Sequence, residues 1–119
     1  MAVAKQPAST DYVKAVLATY VSLPGTPDRP SRRDRQLARQ LHRRGVPLET
    51  IRGAFLLAAA RRTFRGPEAE PLGPIRTLFY FLNLIDEVTD EPPDCGYLDH
   101  LATKLQPFMK SGGVQLDSG

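Results

Sequence analysis

The sequence predicts an all-α fold, a compact bundle of four to five short helices that includes a helix–turn–helix pair. Three observations carry that expectation. Apolar residues recur at spacings of three and four in separate segments, the period of a helix with one buried face. Prolines and glycines gather between those segments rather than inside them. Ser31, Gly45, Pro47 and Pro74 also stand where helix caps and first turns want them.

The first helix is expected from Asp11 to about Ser22, capped by Thr10, with Tyr12, Val13, Val16, Leu17 and Tyr20 inward. LPGTPDRP then breaks it, because three prolines and a glycine in eight residues cannot continue a helix. Ser31 opens the second helix. Asp34 lies three residues on, an acidic form of the capping box. Leu37, Ala38 and Leu41 form its apolar side, and Gly45 suits a left-handed end. Pro47 fits the first turn of a third helix reaching about Thr63, packed through Leu48, Ile51, Ala54, Phe55 and Ala58. So short a link makes the second and third helices a tight pair.

After the loop RGPEAEPLGP, a fourth helix is expected from Pro74 to about Val88. Ile75, Leu78, Phe79, Phe81, Leu82 and Ile85 cover nearly half its circumference, so it should be the central helix. Phe and Tyr also favour strands; the helical spacing and Pro74 decide for helix. TDEPPDCG leads to a fifth helix, Tyr97 to Met109, with Leu98, Leu101, Ala102, Leu105 and Phe108 or Met109 inward. Residues 1–9 and 111–119 are expected to be flexible, leaving one helical domain over 10–110.

The 119 residues suffice for one core without metal or disulfide. Cys95 is the sole cysteine and cannot pair internally, and no Cys/His array has zinc spacing. MAVAKQPAST has no apolar signal region, and LFYFLNLI is far too short to span a bilayer. A cytoplasmic protein without membrane contact, and with no cofactor, is the expectation.

Charge is segregated along the chain. From Arg29 to Arg76 all twelve arginines stand against four acids, a local charge of +8. From Thr77 to Asp99 six acids meet no base, a charge of −6. Such separation bears on partners more than on fold. At about 100° per residue, Arg32, Arg35, Arg39 and Arg43 form one stripe opposite Leu37 and Leu41. The stripe is about 16 Å long. Like charges four apart repel by a few tenths of a kcal/mol each, a cost that alternating signs would avoid. A one-sign row therefore fits a polyanion, and arginine suits phosphate through bidentate contacts. Arg33, Arg44, Arg61, Arg62 and Arg65 flank the stripe as further candidate nucleic-acid contacts. The bland alternatives are a solvated face for the row and, for Arg61, Arg62 and Arg65, a response to a helix dipole.

Catalytic patterns are missing. No GxxxxGK[ST], GxGxxG, GxSxG or HExxH occurs, so a non-enzyme is expected. His42 among arginines reads as a surface residue. Cys95, Asp99 and His100 gather at one loop–helix junction without a third group to form a catalytic set. Asp86, Glu87, Asp90, Glu91 and Asp94 lack the spacing of a calcium loop and read as a solvated helix end. That acidic 86–99 segment could also dock on a basic partner or on a second copy's arginine row. Exposed aromatics look scarce, Tyr80 and Phe64 excepted, which favours phosphate-dominated contact with duplex DNA over a single-strand platform.

LHRRGVPLETIRGAF resembles the helix–turn–helix pattern of small bacterial DNA-binding proteins, including those of mobile elements. Leu41 to Val88 is also similar to the helical domain of DnaD-like replication proteins, in which a short turn, a small-residue helix (here IRGAFLLAAARR) and an aromatic helix (here IRTLFYFLNLIDEV) follow in order. The resemblance implies a DNA-binding accessory of replication or mobile-element biology. The competing expectation is an adaptor subunit docking through its apolar fourth helix and acidic lobe.

Overall fold

A computed structural model describes residues 8–66, 68–70 and 72–110. Five α-helices follow in order: α1 (Ser9–Ser22), α2 (Arg32–Arg43), α3 (Leu48–Thr63), α4 (Leu82–Asp90) and α5 (Cys95–Leu105). Single 3₁₀ turns, Leu78–Phe81 and Gln106–Phe108, precede α4 and follow α5. The described residues include no strand, and one apolar cluster draws on all five helices. The chain is the expected all-α bundle. Of the termini expected to be flexible, residues 1–7 and 111–119 lie outside the described residues, whereas Ser9 already belongs to α1. That helix starts without a side-chain cap, so Thr10 is inside it rather than capping it.

The second helix begins as its sequence says. Ser31 Oγ accepts the Asp34 N–H at 3.1 Å, and Asp34 Oδ2 accepts the Ser31 N–H at 2.9 Å, a complete capping box. The same carboxylate reaches further. Its Oδ1 accepts the Leu78 N–H at 2.9 Å and the Thr77 hydroxyl at 3.3 Å. Asp34 is 1% exposed, so one buried acid ties the start of α2 to the chain entering α4. At the other end Gly45, at φ +77°, makes the left-handed turn, and Tyr12 Oη donates to the Val46 carbonyl at 2.7 Å. From this link the two helices part. The short turn joins α2 to α3 as expected, but each helix packs mainly on others: α2 on α1 and the 3₁₀ turn, α3 on α4, α5 and α1.

The central helix is α3, not the fourth. Ile51 and every residue from Gly53 to Ala60 are buried. Small side chains let neighbours close in on all sides: a Cβ on Gly53 would lie 3.4 Å from both Val88 Cγ1 and Leu98 Cδ1. Against α3, the rings of Tyr20, Phe55 and Phe81 form a mutual cluster, Phe55 and Phe81 meeting edge to face at 4.8 Å.

Pro74 does not start α4. Residues 72–77 form no helix, and the Ile75 N–H goes to the Gly25 carbonyl at 2.7 Å. Long-range bonds at Gly25 and Asp34 override the local signal and delay the helix to Leu82. The last helix starts earlier than expected, capped by Asp94, and Pro107 confines its end to a 3₁₀ turn that leaves Phe108 half exposed while Met109 packs on the core. Lys110 closes the molecule: its N–H donates to Ser22 O at 2.8 Å, and its ammonium bonds the carbonyls of Thr26 and Pro27.

Three substitutions test these statements by denaturant unfolding. Asp34→Ala removes a cap and leaves the Leu78 N–H without its buried acceptor, and should cost ~2–4 kcal/mol. The two core tyrosines should diverge. Burial pushes the Tyr12 phenol up to about 12, opposed in part by Arg44. Stability from Tyr12 is therefore complete below pH 10, its ordinary value, and is lost as pH rises to about 12. Tyr12→Phe should cost ~1 kcal/mol at neutral pH and soften that alkaline loss. Tyr20 Oη, by contrast, is buried without a hydrogen-bond partner among the described residues. Tyr20→Phe should be neutral or stabilise by up to ~1 kcal/mol.

Candidate nucleic-acid interface

The buried positions of α2 are Asp34, Leu37, Ala38 and Leu41. Burying that side points the opposite one outward, and Arg32, Arg35, Arg39 and Arg43 are all exposed along it. None of the four, nor Arg33, makes an ion pair among the described residues. The row ends at the helix C-terminus, whose dipole favours Arg43. His42 is half-buried, its ring edge-on to Tyr12 at 4.9 Å.

The remaining candidate arginines divide differently. Arg44, just past the end of α2, lies 3.6 Å from Asp86 of α4. Arg61 forks onto Glu87, with Nη2 at 2.8 Å from Oε2 and Nη1 at 3.4 Å from Oε1. That hydrogen bond, with Arg61's charge, holds the Glu87 carboxyl below the usual glutamate range and raises Arg61. Arg62 is a structural clasp. Its guanidinium donates to the Gly73 carbonyl and, at 3.2 Å, to the Tyr80 hydroxyl, and it lies over the Tyr80 ring at 5.4 Å. Arg65 is exposed beside a shallow depression lined by Gly25, Arg62 and Leu72.

The acidic segment therefore folds against α3 and the end of α2, not across the row. Asp86, Glu87 and Asp99 meet Arg44, Arg61 and Arg52, the last pair at 3.8 Å. Cys95 is exposed, and no hydrogen bond joins it to His100, which is exposed as well. Among the described residues no group of three or more His, Cys, Asp or Glu could hold a metal ion. No helix among them is long and apolar enough to cross a membrane. An apolar cleft of roughly 370 Å³ lies between α1, α3 and α5, with Glu49, Arg52 and Gln106 along its walls.

Two surface features escape the sequence reading. Arg76 is exposed one residue before Thr77, so the Thr77–Asp34 bond brings another cation to the N-terminal end of the row. Phe79, expected in the core, is 49% exposed. The 3₁₀ turn buries Leu78 and Phe81 at a spacing of three and leaves Phe79 and Tyr80 outside. The threefold repeat Leu78–Phe81 was the available signal, but the α-helical period absorbed Phe79 into the apolar arc. Comparison with family models, curated proteins and solved structures finds no match for this chain.

The clasp predicts a local effect. Arg62→Ala should raise hydrogen exchange at the Ile75 amide by ~tenfold or more, since the segment loses the bond at Gly73 that holds it near Gly25. The Leu78 amide, bonded to Asp34, should keep its protection.

Proposed function

We propose that this protein binds nucleic acid, duplex DNA in the first instance, through the arginine row of α2. One observation carries the reading. Arg32, Arg35, Arg39 and Arg43 stay exposed and without ion pairs among the described residues, although the same fold brings three carboxylates to other arginines. A line of guanidinium groups about 16 Å long can contact successive phosphates. Arg33 and Arg76 extend the field at the N-terminal end and Arg65 adds to the positive surface, whereas Arg44 and Arg61 are discounted by their partners and Arg62 by its role in the fold. Contacts of this kind position the protein on the backbone and read little sequence. The protein then acts as a non-catalytic accessory in the bacterial cytoplasm, and its resemblance to DnaD-like and mobile-element proteins supports a place in replication or mobile-element biology.

A second reading has one observation in its favour. Phe79, Tyr80 and Leu72 are each nearly half exposed, as a protein-docking surface around the fourth helix would require. The acidic half of that reading is weaker, because Asp86, Glu87 and Asp99 already face arginines of the same molecule.

Equilibrium binding to a labelled duplex across a salt series separates the two. The row predicts that log affinity falls with log salt by about 0.9 per phosphate contacted. Arg35→Gln/Arg39→Gln should weaken binding at least tenfold and reduce the slope by about 2. Binding unchanged by this pair would remove the row as the site. No binding at low salt, with a stable complex to another protein, would favour docking.

A further inference from the structure

The position of Phe79 bears on what kind of nucleic acid the row holds. Two contacts fix how the chain from Leu78 to Asp90 lies beside α2. At the start of α2, Asp34 accepts the Leu78 N–H; past its end, Arg44 meets Asp86. The turn packs on α2, and the chain then advances toward the C-terminal end of that helix. Asp86 marks the side of this segment that faces α2, and Phe79 lies two helical turns before it, on that same side. About 100° further round, the segment faces the end of α3, where the Tyr80 hydroxyl meets Arg62 and Glu87 meets Arg61. Arg33 lies about three turns before Arg44 on α2 and so shares the flank next to Phe79. Phe79 directly follows Leu78, whose N–H is bonded to Asp34 in the first turn of α2, so its half-exposed ring lies near the N-terminal end of α2, on the flank of Arg33 rather than on the stripe itself.

Its neighbours argue against an apolar docking face. Asn83 and Asp86 continue the same rim and are polar and exposed. The adjacent Tyr80 ring is already covered on one side by the Arg62 guanidinium. An exposed aromatic ring close to a cationic helix is the chemistry that recognises a nucleobase face next to its phosphates. A base inside a duplex offers no free face, so only an unpaired one can use it.

Resting on the reading of α2 as the phosphate-binding face, we infer that Phe79 stacks on an unpaired base, and that the preferred ligand is a duplex carrying an adjoining single-stranded stretch. The row holds the duplex backbone, and the ring takes the first base beyond the pairing. This orients the protein at a duplex end or fork without reading sequence, since every base has a stacking face.

The test uses the full chain and three labelled DNA probes of shared sequence: a blunt duplex, that duplex with a single-stranded extension, and the single strand alone. The extended duplex should bind on the order of tenfold tighter than the blunt one. Phe79→Leu keeps an apolar side chain but no ring, and should bring that ratio to about one, whereas Phe79→Trp should preserve it. Circular dichroism of each variant checks the fold. Equal binding of extended and blunt duplex by the wild type, or a ratio that survives Phe79→Leu, overturns the stacking inference while leaving the row intact. Arg35→Gln/Arg39→Gln should instead weaken all three probes together. No binding of any probe at low salt overturns both.

Discussion

A single buried carboxylate organises the molecule. Asp34 accepts from Ser31, Thr77 and Leu78, and so joins elements more than forty residues apart in sequence. A buried charge is costly unless its hydrogen bonds are made. Here two backbone amides and a hydroxyl supply them, and the N-terminus of α2 adds a favourable dipole. The arrangement charges its surroundings too: burial, and after it the Asp34 charge, push the Tyr20 phenol well above its ordinary range. Everything on the outer surface depends on this inner bond. It fixes how α2 is rotated, and with that rotation which way the arginines point.

Local signals decide structure only where no distant group competes for the same backbone. The start of α2 was legible because Ser31 and Asp34 satisfy each other within one turn. The entry to α4 was not, because the Ile75 and Leu78 amides answer to Gly25 and Asp34, which no local window contains. The centrality of α3 was hidden for another reason. A helix buried on nearly all sides has no preferred face, so periodicity carries no information about it. The fourth helix, with its clear apolar arc, looked more central because it keeps one solvent face.

Charge segregation along the chain translated into space only in part. The acidic stretch does not stand apart as a lobe, since Asp86, Glu87 and Asp99 each find an arginine. Those pairs are exposed, and pairs of that kind add little stability. Their consequence is electrostatic. They trim the positive field at Arg44, Arg52 and Arg61 and leave it concentrated on α2. The sequence could locate the row by wheel geometry alone, because the row needs only a helix and an inward side. Which of the other arginines would be neutralised needed the tertiary fold.

The inner bond and the outer row are linked by the composition of α2. Between Arg32 and Arg43 the helix has one acid, and that acid is turned inward. Had Asp34 faced solvent, it could have paired with an arginine one turn away and eased the local repulsion. Spending it on the core leaves five arginines of the helix with no counter-charge of their own. The repulsion along that face is small per pair, a few tenths of a kcal/mol, and a buried cap of this quality outweighs it. The fold can therefore sustain a cationic edge indefinitely without a ligand, while a phosphate backbone laid along it would relieve the repulsion and gain charge-assisted bonds at once. The same carboxylate sets the turn at Leu78 beside the first turn of α2, so the half-exposed Phe79 that follows lies near the end of the helix where its arginines begin.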